Sequence, residues 1–219
     1  MWRPVGALVD LVLPLQCGGC GLPGRAWCRW CAAVLEDTPV LLRPRVDPGV
    51  PVWASGPYRG VRRRAVVAAK EHGRRDLAAP LGAGLAHVLV LLERWGEIDA
   101  GAFVVPAPTR ARAARSRGGD PVTAMAVAAV GEQRVVPALR LHWSTRDSVG
   151  LSQAQRQRNL AGAIRLTRAG GQWCTRVPAG LPVVLVDDVA TTGATCTEAV
   201  RVLAGAGVAV QAVVVLAGA

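Results

Sequence analysis

The stretch VVLVDDVATTGATCTEAV, Val183 to Val200, decides how this chain is read. Four apolar residues lead into two adjacent carboxylates, Asp187 and Asp188. A short β-branched run of this kind reads as a central strand over 183–187. A helix is expected from Thr195 to about Ala206. The acids then stand at the carboxyl end of a strand, the edge where open α/β sheets bind ligands. Val189 and Ala190 connect them to the turn Thr191-Thr192-Gly193-Ala194-Thr195. That turn offers backbone N–H groups and three hydroxyls in front of a helix N-terminus, which is a cradle for phosphate. Gly193 permits close approach or positive φ. The acids suit ribose hydroxyls, or magnesium through water. Sugar and phosphate together are therefore the expected ligand.

Other phosphate motifs are excluded. The chain has no G-x-x-x-x-G-K-[ST], so the acids are not part of a P-loop ATPase. No G-x-G-x-x-G follows a strand, which disfavours a dinucleotide fold. The histidines His72, His87 and His142 have no metal spacing among them.

Outward from this stretch the pattern alternates helices and short strands, the mark of an α/β domain. Residues 52–56 read as a short edge strand. Val61 to His72 reads as a helix with its arginines outside and Val66 and Val67 inside. Asp76 is expected to cap a helix running to about Arg94. Residues 102–106 read as a buried strand, 134–139 as another, and 208–216 as the last. Asp120 before Pro121 marks a helix start. The proline-rich LLRPRVDPGVPVW, 41–53, has no period and reads as a linker. The division expected is a lead-in, finger and linker over 1–50, then a domain over 51–219.

CGGCGLPGRAWCRWC places Cys17, Cys20, Cys28 and Cys31 as two Cys-x-x-Cys pairs seven residues apart. Four thiolates in this arrangement suit one tetrahedral zinc of structural type, and Gly18 and Gly19 permit the tight turn. Two local disulfides are the alternative. Trp30 reads as closing a miniature core, with stacking on a base as the other option. Cys174 and Cys196 read as ordinary thiols.

The net charge is +11, which invites a polyanionic partner. Lys70 is the single lysine; every other basic side chain, histidine aside, is arginine. The clusters Arg62-Arg63-Arg64 and Arg110, Arg112, Arg115, Arg117 are suited to phosphates, including those of single-stranded DNA. The second cluster lies between Pro108 and Gly118-Gly119 and reads as an anion-seeking loop or a solvated basic face. No run of about eighteen apolar residues occurs, so no membrane span is expected. The N-terminal apolar stretch is broken by Asp10 and lacks a small-x-small cleavage site. It reads as an amphipathic helix, and a cytoplasmic protein is expected.

Val184 to Thr195 closely resembles the phosphoribosyl-pyrophosphate (PRPP) motif of type I phosphoribosyltransferases. The resemblance implies an open, mainly parallel sheet with helices on both faces. It implies ribose hydroxyls on Asp187 and Asp188 and a 5′-phosphate in the loop 191–195. The whole chain resembles the bacterial ComF family, associated with competence. The likeness lies in the four-cysteine finger, Tyr58, Gly60 and Lys70, the Val-Pro-x-Pro turn at 105–108, and Gly150-Leu151-Ser152, Arg156 and Asn159-Leu160. It implies transfer of a phosphoribosyl group to a nitrogen acceptor, with magnesium on PRPP. Pyrophosphate would leave beside the turn Pro106 to Arg110, with Asp187, Asp188 and Arg110 as the catalytic set. A non-catalytic protein that binds single-stranded DNA, or an adaptor among DNA-uptake proteins, is the other implied role. The chain departs from the family at Arg117-Gly118-Gly119-Asp120-Pro121, where Arg-Gly-Phe-Asn-Gln is common, and at Ser148, where glutamine is common. Those departures bear on the acceptor more than on PRPP.

Overall fold

Uninterrupted runs of Val, Ala and Leu are stable as strands where both faces of the sheet are covered. The computed structural model describes residues 15–109, 119–142, 162–178 and 180–219. In chain order the elements are α1 (Arg29–Leu35), β1 (Val40–Leu42), β2 (Val52–Ala54), α2 (Gly60–Glu71), α3 (Ala78–Trp95), β3 (Phe103–Pro106), α4 (Pro121–Val130), β4 (Leu139–Leu141), β5 (Ile164–Leu166), α5 (Arg168–Cys174), β6 (Val183–Ala190), α6 (Ala194–Ala204) and β7 (Ala212–Gly218). The main sheet has the order β1-β2-β7-β6-β3. Strands β2, β7, β6 and β3 are parallel, and β1 is antiparallel to β2. A separate antiparallel pair, β4 and β5, lies outside this sheet.

The period of two along β6 and β7 sorts side chains into two cores. Val184, Val186, Val214 and Leu216 join Leu81, Leu85, Val88, Leu92 and Met125 on the face covered by α3 and α4. Leu185, Val213 and Val215 join Ala199 and Leu203 of α6 on the other face. All seven residues of β7 are buried. The chain is thus an α/β fold with a mixed, mostly parallel sheet and helices on both faces. Helix α3 with its preceding turn, Arg75–Trp95, has the length and hydropathy of a membrane span. Here its leucines form the centre of the first core.

Several expectations change in detail. Strand β6 runs to Ala190, because β7 continues to Gly218 and pairs Val189 with Ala217 and Ala190 with Gly218. The acids therefore lie within the ladder. Residues 208–211 precede β7 although Val208 and Val210 are buried. β2 is an inner strand, because β1 emerges from the stretch read as a linker and covers its edge. The expected strand at 134–139 is a 3₁₀ turn at Glu132–Arg134, a bridge from Val135 to Val104, and then β4. Asp76 does not cap α3, which starts at Ala78; its carboxylate is drawn to Arg74 at 2.6 Å instead. Asp120 does cap α4. Its Oδ1 accepts from Val122 N at 3.2 Å, with Pro121 in the first turn.

Arg62 departs furthest from the sequence reading. Its side chain is 6% exposed, under α1 rather than outside α2. The guanidinium donates to Val34 O, to Ser55 O at 2.7 Å and to Asp37 Oδ2 at 2.9 Å, and Nε donates to Ser55 Oγ. Ser55 Oγ in turn donates to Leu35 O at 3.1 Å. These carbonyls lie at the end of α1 and just past β2, where no backbone donor reaches them. A buried guanidinium with five N–H groups supplies the missing donors.

Candidate functional site

The cysteine pairs come together first. Cys17 Sγ lies 3.7 Å from Cys31 Sγ, and Cys20 Sγ lies 3.6 Å from Cys28 Sγ. All four sulfurs are within 4.8 Å of one another. A disulfide needs about 2.05 Å, so these are free thiols. Zinc–sulfur bonds of about 2.3 Å put tetrahedral sulfurs about 3.8 Å apart, and the four residues fit that spacing. Burial would raise the Cys17 thiol, but hydrogen bonds at the backbone of Cys20, Gly19 and Cys28 hold it at about 6. Burial and its neighbouring sulfurs push Cys31 far up.

Gly18 and Gly19 are required by packing rather than by the turn itself. A Cβ on Gly18 would stand 2.6 Å from Leu77 Cδ1, and one on Gly19 would stand 2.6 Å from Cys31 Sγ. Arg64 Nε donates to Gly19 O, and Arg74 Nη1 donates to Gln16 O at 2.9 Å. Two of the arginines beside the finger are therefore turned into it. Trp30 does not close a miniature core; it is 59% exposed. Cys31 and Leu35, four residues apart, form the buried stripe of α1, and Trp30 falls off it.

The acids of β6 split between the faces by the same alternation that sorted the valines. Asp188 follows Val184 and Val186 and is buried on the side of α2. There Lys70, near the end of α2, meets it at 2.8 Å from Oδ1 and 2.7 Å from Oδ2. The approach to Oδ2 is a charge contact; Lys70 donates its directed hydrogen bond to Oδ1. Burial would lower the Lys70 ammonium, but the charges of Asp188 and Asp187 and the hydrogen bond carry it above its usual value. Burial pushes Asp187 well above the carboxylate range and the Asp188 charge adds to this, against the pull of Lys70. Asp187 Oδ1 accepts from Asp188 N at 2.8 Å. The pair therefore sets Asp188 against the Lys70 ammonium, while burial weighs against a charge on Asp187.

The loop after β6 leads into α6 through Gly193, whose φ is +86°. Thr192 Oγ1 accepts from Ala194 N at 3.4 Å. Val189 and Ala190 close β6, Thr191, Thr192 and Gly193 form the turn, and Ala194 and Thr195 open α6. Cys196 lies in the first turn of α6. Burial and the Asp187 charge keep its thiol protonated, in line with an ordinary buried cysteine.

On the β3 side, Pro106–Thr109 and Asp120 line one cavity of about 240 Å³ with Thr123, Pro137, Leu139 and Arg140. Thr109 Oγ1 donates to Asp120 Oδ1 at 3.0 Å, which ties this turn to the α4 cap. Arg110, Arg112, Arg115 and Arg117 lie outside the described residues, as do Ser148 and the segment from Gly150 to Leu160.

Lys70 is the site residue whose role the sequence reading did not assign. Its signal was there: one lysine in a chain otherwise served by arginine. Lysine presents a compact point charge and arginine a planar fork, so the two are not interchangeable at Asp188. Comparison with models of known protein families and with curated proteins finds no match for this chain.

Proposed function

We propose that this chain is a phosphoribosyltransferase-type protein of the ComF kind, binding PRPP or a related ribose phosphate with magnesium. One observation carries the reading: β6 carries Asp187 and Asp188 near its end, the latter paired with Lys70, and leads directly through Thr191–Gly193 into the N-terminus of α6. In this reading the 5′-phosphate takes the free N–H groups of the turn, and the ribose hydroxyls take the acids. Asp188, paired with Lys70, accepts from one hydroxyl. Asp187, inclined to hold its proton, donates to or accepts from the other. The reaction would be displacement of pyrophosphate from C1 by a nitrogen nucleophile, with alignment as the main source of rate. Magnesium would neutralise the pyrophosphate as it leaves. The four cysteines fit a structural zinc, which would hold the finger against α2 and α3.

Titration calorimetry with PRPP and magnesium tests the reading, with ribose 5-phosphate as the control for the phosphate half. Binding of both is expected. A folded protein that ignores both at millimolar concentration overturns it.

A second reading rests on Trp30, exposed on the finger next to exposed Arg29 in the chain, with exposed Arg25 in the same segment. An aromatic face beside cations suits single-stranded DNA. Its affinity would fall with salt at a log–log slope of about 0.7 per phosphate contact. Trp30→Ala should weaken it, and no binding at low salt removes this reading.

A further inference from the structure

The end of β1 and the segment that follows it rest on the end of β7 and on the candidate phosphate turn. Leu42 sits on Gly218, where a Cβ would stand 2.5 Å from Leu42 Cδ1. Pro44 and Val46 sit on Gly193, where a Cβ would stand 2.7 Å from Pro44 Cβ and 2.3 Å from Val46 O. Val46 N donates to Thr192 O at 2.9 Å. Thr197 Oγ1 donates to Val46 O at 3.2 Å and to Gly193 O at 3.0 Å. Both glycines are thus small because the strap lies on them.

The strap brings charge with it. Arg43 and Arg45 line a cavity of about 230 Å³ together with Leu42, Pro44, Ala190, Thr191 and Ala219. Arg43 is exposed and has no ion pair among the described residues. The turn from Val189 to Thr197 contains no cationic side chain of its own. Lys70 is committed to Asp188. A phosphate dianion in this turn would have N–H donors and a helix end, worth only a fraction of its charge. The guanidiniums on this cavity wall, Arg43 and Arg45, are both supplied by the strap.

We propose that Arg43 is a direct contact of the ligand phosphate held by the Thr191–Thr195 turn, so that the segment joining the finger to the sheet completes the site. This rests on the ribose-phosphate reading above. A guanidinium fork matches two phosphate oxygens, and such charge-assisted pairs are the stronger hydrogen bonds.

The experiment is calorimetric titration of ribose 5-phosphate, and separately of inorganic pyrophosphate, into wild type, Arg43→Lys, Arg43→Ala and Arg43→Glu. Arg43 is exposed, so all four should melt alike. Ribose 5-phosphate should bind Arg43→Ala about tenfold more weakly, as expected for one lost charged hydrogen bond. Lys should fall between, and Glu should be weaker still. Pyrophosphate should be indifferent to position 43. Equal binding of ribose 5-phosphate to wild type and Arg43→Ala overturns the assignment and leaves the ribose-phosphate reading standing. Equal losses for both ligands make Arg43 a general attractor of anions and also overturn it. Failure of wild type itself to bind ribose 5-phosphate overturns both readings together.

Discussion

Lys70 Nζ lies 2.8 Å from Asp188 Oδ1, although 118 residues separate the two in the chain. The pair joins α2 to β6 and sits a third exposed on the lysine side and nearly buried on the aspartate side. It therefore contributes both to the fold and to the charge of the site.

Lys70→Met should leave Asp188 buried without its cation. Breaking a fully buried pair costs about 3–5 kcal/mol; the one-third exposure of Lys70 reduces this to about 1–2 kcal/mol. Urea unfolding at pH 7 measures it. Lys70→Arg should recover much of that stability, because a guanidinium fork can also pair with the Asp188 carboxylate.

Asp187→Asn should stabilise the protein at neutral pH. The folded state raises the Asp187 pKa, so its contribution is fully present below the unfolded value and is lost as pH rises through the folded one. At pH 4 the substitution should be close to neutral. At pH 7.5 it should raise Tm by about 2–4 °C, the shift that 1 kcal/mol produces in a chain of this size. The same variant should bind ribose 5-phosphate more weakly. A lower Tm at pH 7.5 would show that the carboxylate is stabilised there by partners other than Lys70.

Gly193→Ala should be harsh for a substitution of one methyl. The backbone has positive φ and the new Cβ would meet Val46 O at 2.3 Å. The strap must lift or the turn must shift, at a cost of about 1–3 kcal/mol. Hydrogen exchange should show Val46 N–H losing protection before the strands do. Unchanged protection at Val46 would place the turn in a different conformation.

Reduced, freshly purified protein should contain about one zinc per chain. Removal by a strong chelator should lower Tm and expose Cys31 to Leu35 to hydrogen exchange. The α/β core should hold its protection longer. Elemental analysis without zinc would leave the thiols of Cys17, Cys20, Cys28 and Cys31 without an explanation.

Some of this architecture is readable from residues alone, for a local reason. β6 is marked by its β-branched run, α4 by Asp120 before Pro121, and the finger by its paired cysteines. Each signal is written within a few positions of where it acts. The strap is different. Residues 41–53 show no period, and what orders them is two vacant Cβ positions at Gly193 and Gly218, far downstream. Arg62 misleads for a similar reason. It lies in a run of three arginines that looks like a solvated face, and only the tertiary fold brings the unpaired carbonyls of Val34 and Ser55 to it. Asp76 has the form of a cap, but its nearest cation, Arg74, takes it out of that role.

The antiparallel strand β1 has a consequence for the edge that the main sheet presents to other chains. An inner parallel strand with its ladder uncovered is a template for other chains. β2 would be one if the chain were trimmed near residue 50, with Val52 and Trp53 facing an open edge. β1 closes that edge with only three residues, and Pro39 and Pro44 stand just outside it, each lacking an N–H. The new rim is too short and too poor in donors to recruit a further strand. The segment that joins finger to sheet thus also acts as a guard against fibril-like growth, and shortened versions of this protein should be tested for aggregation before they are tested for activity.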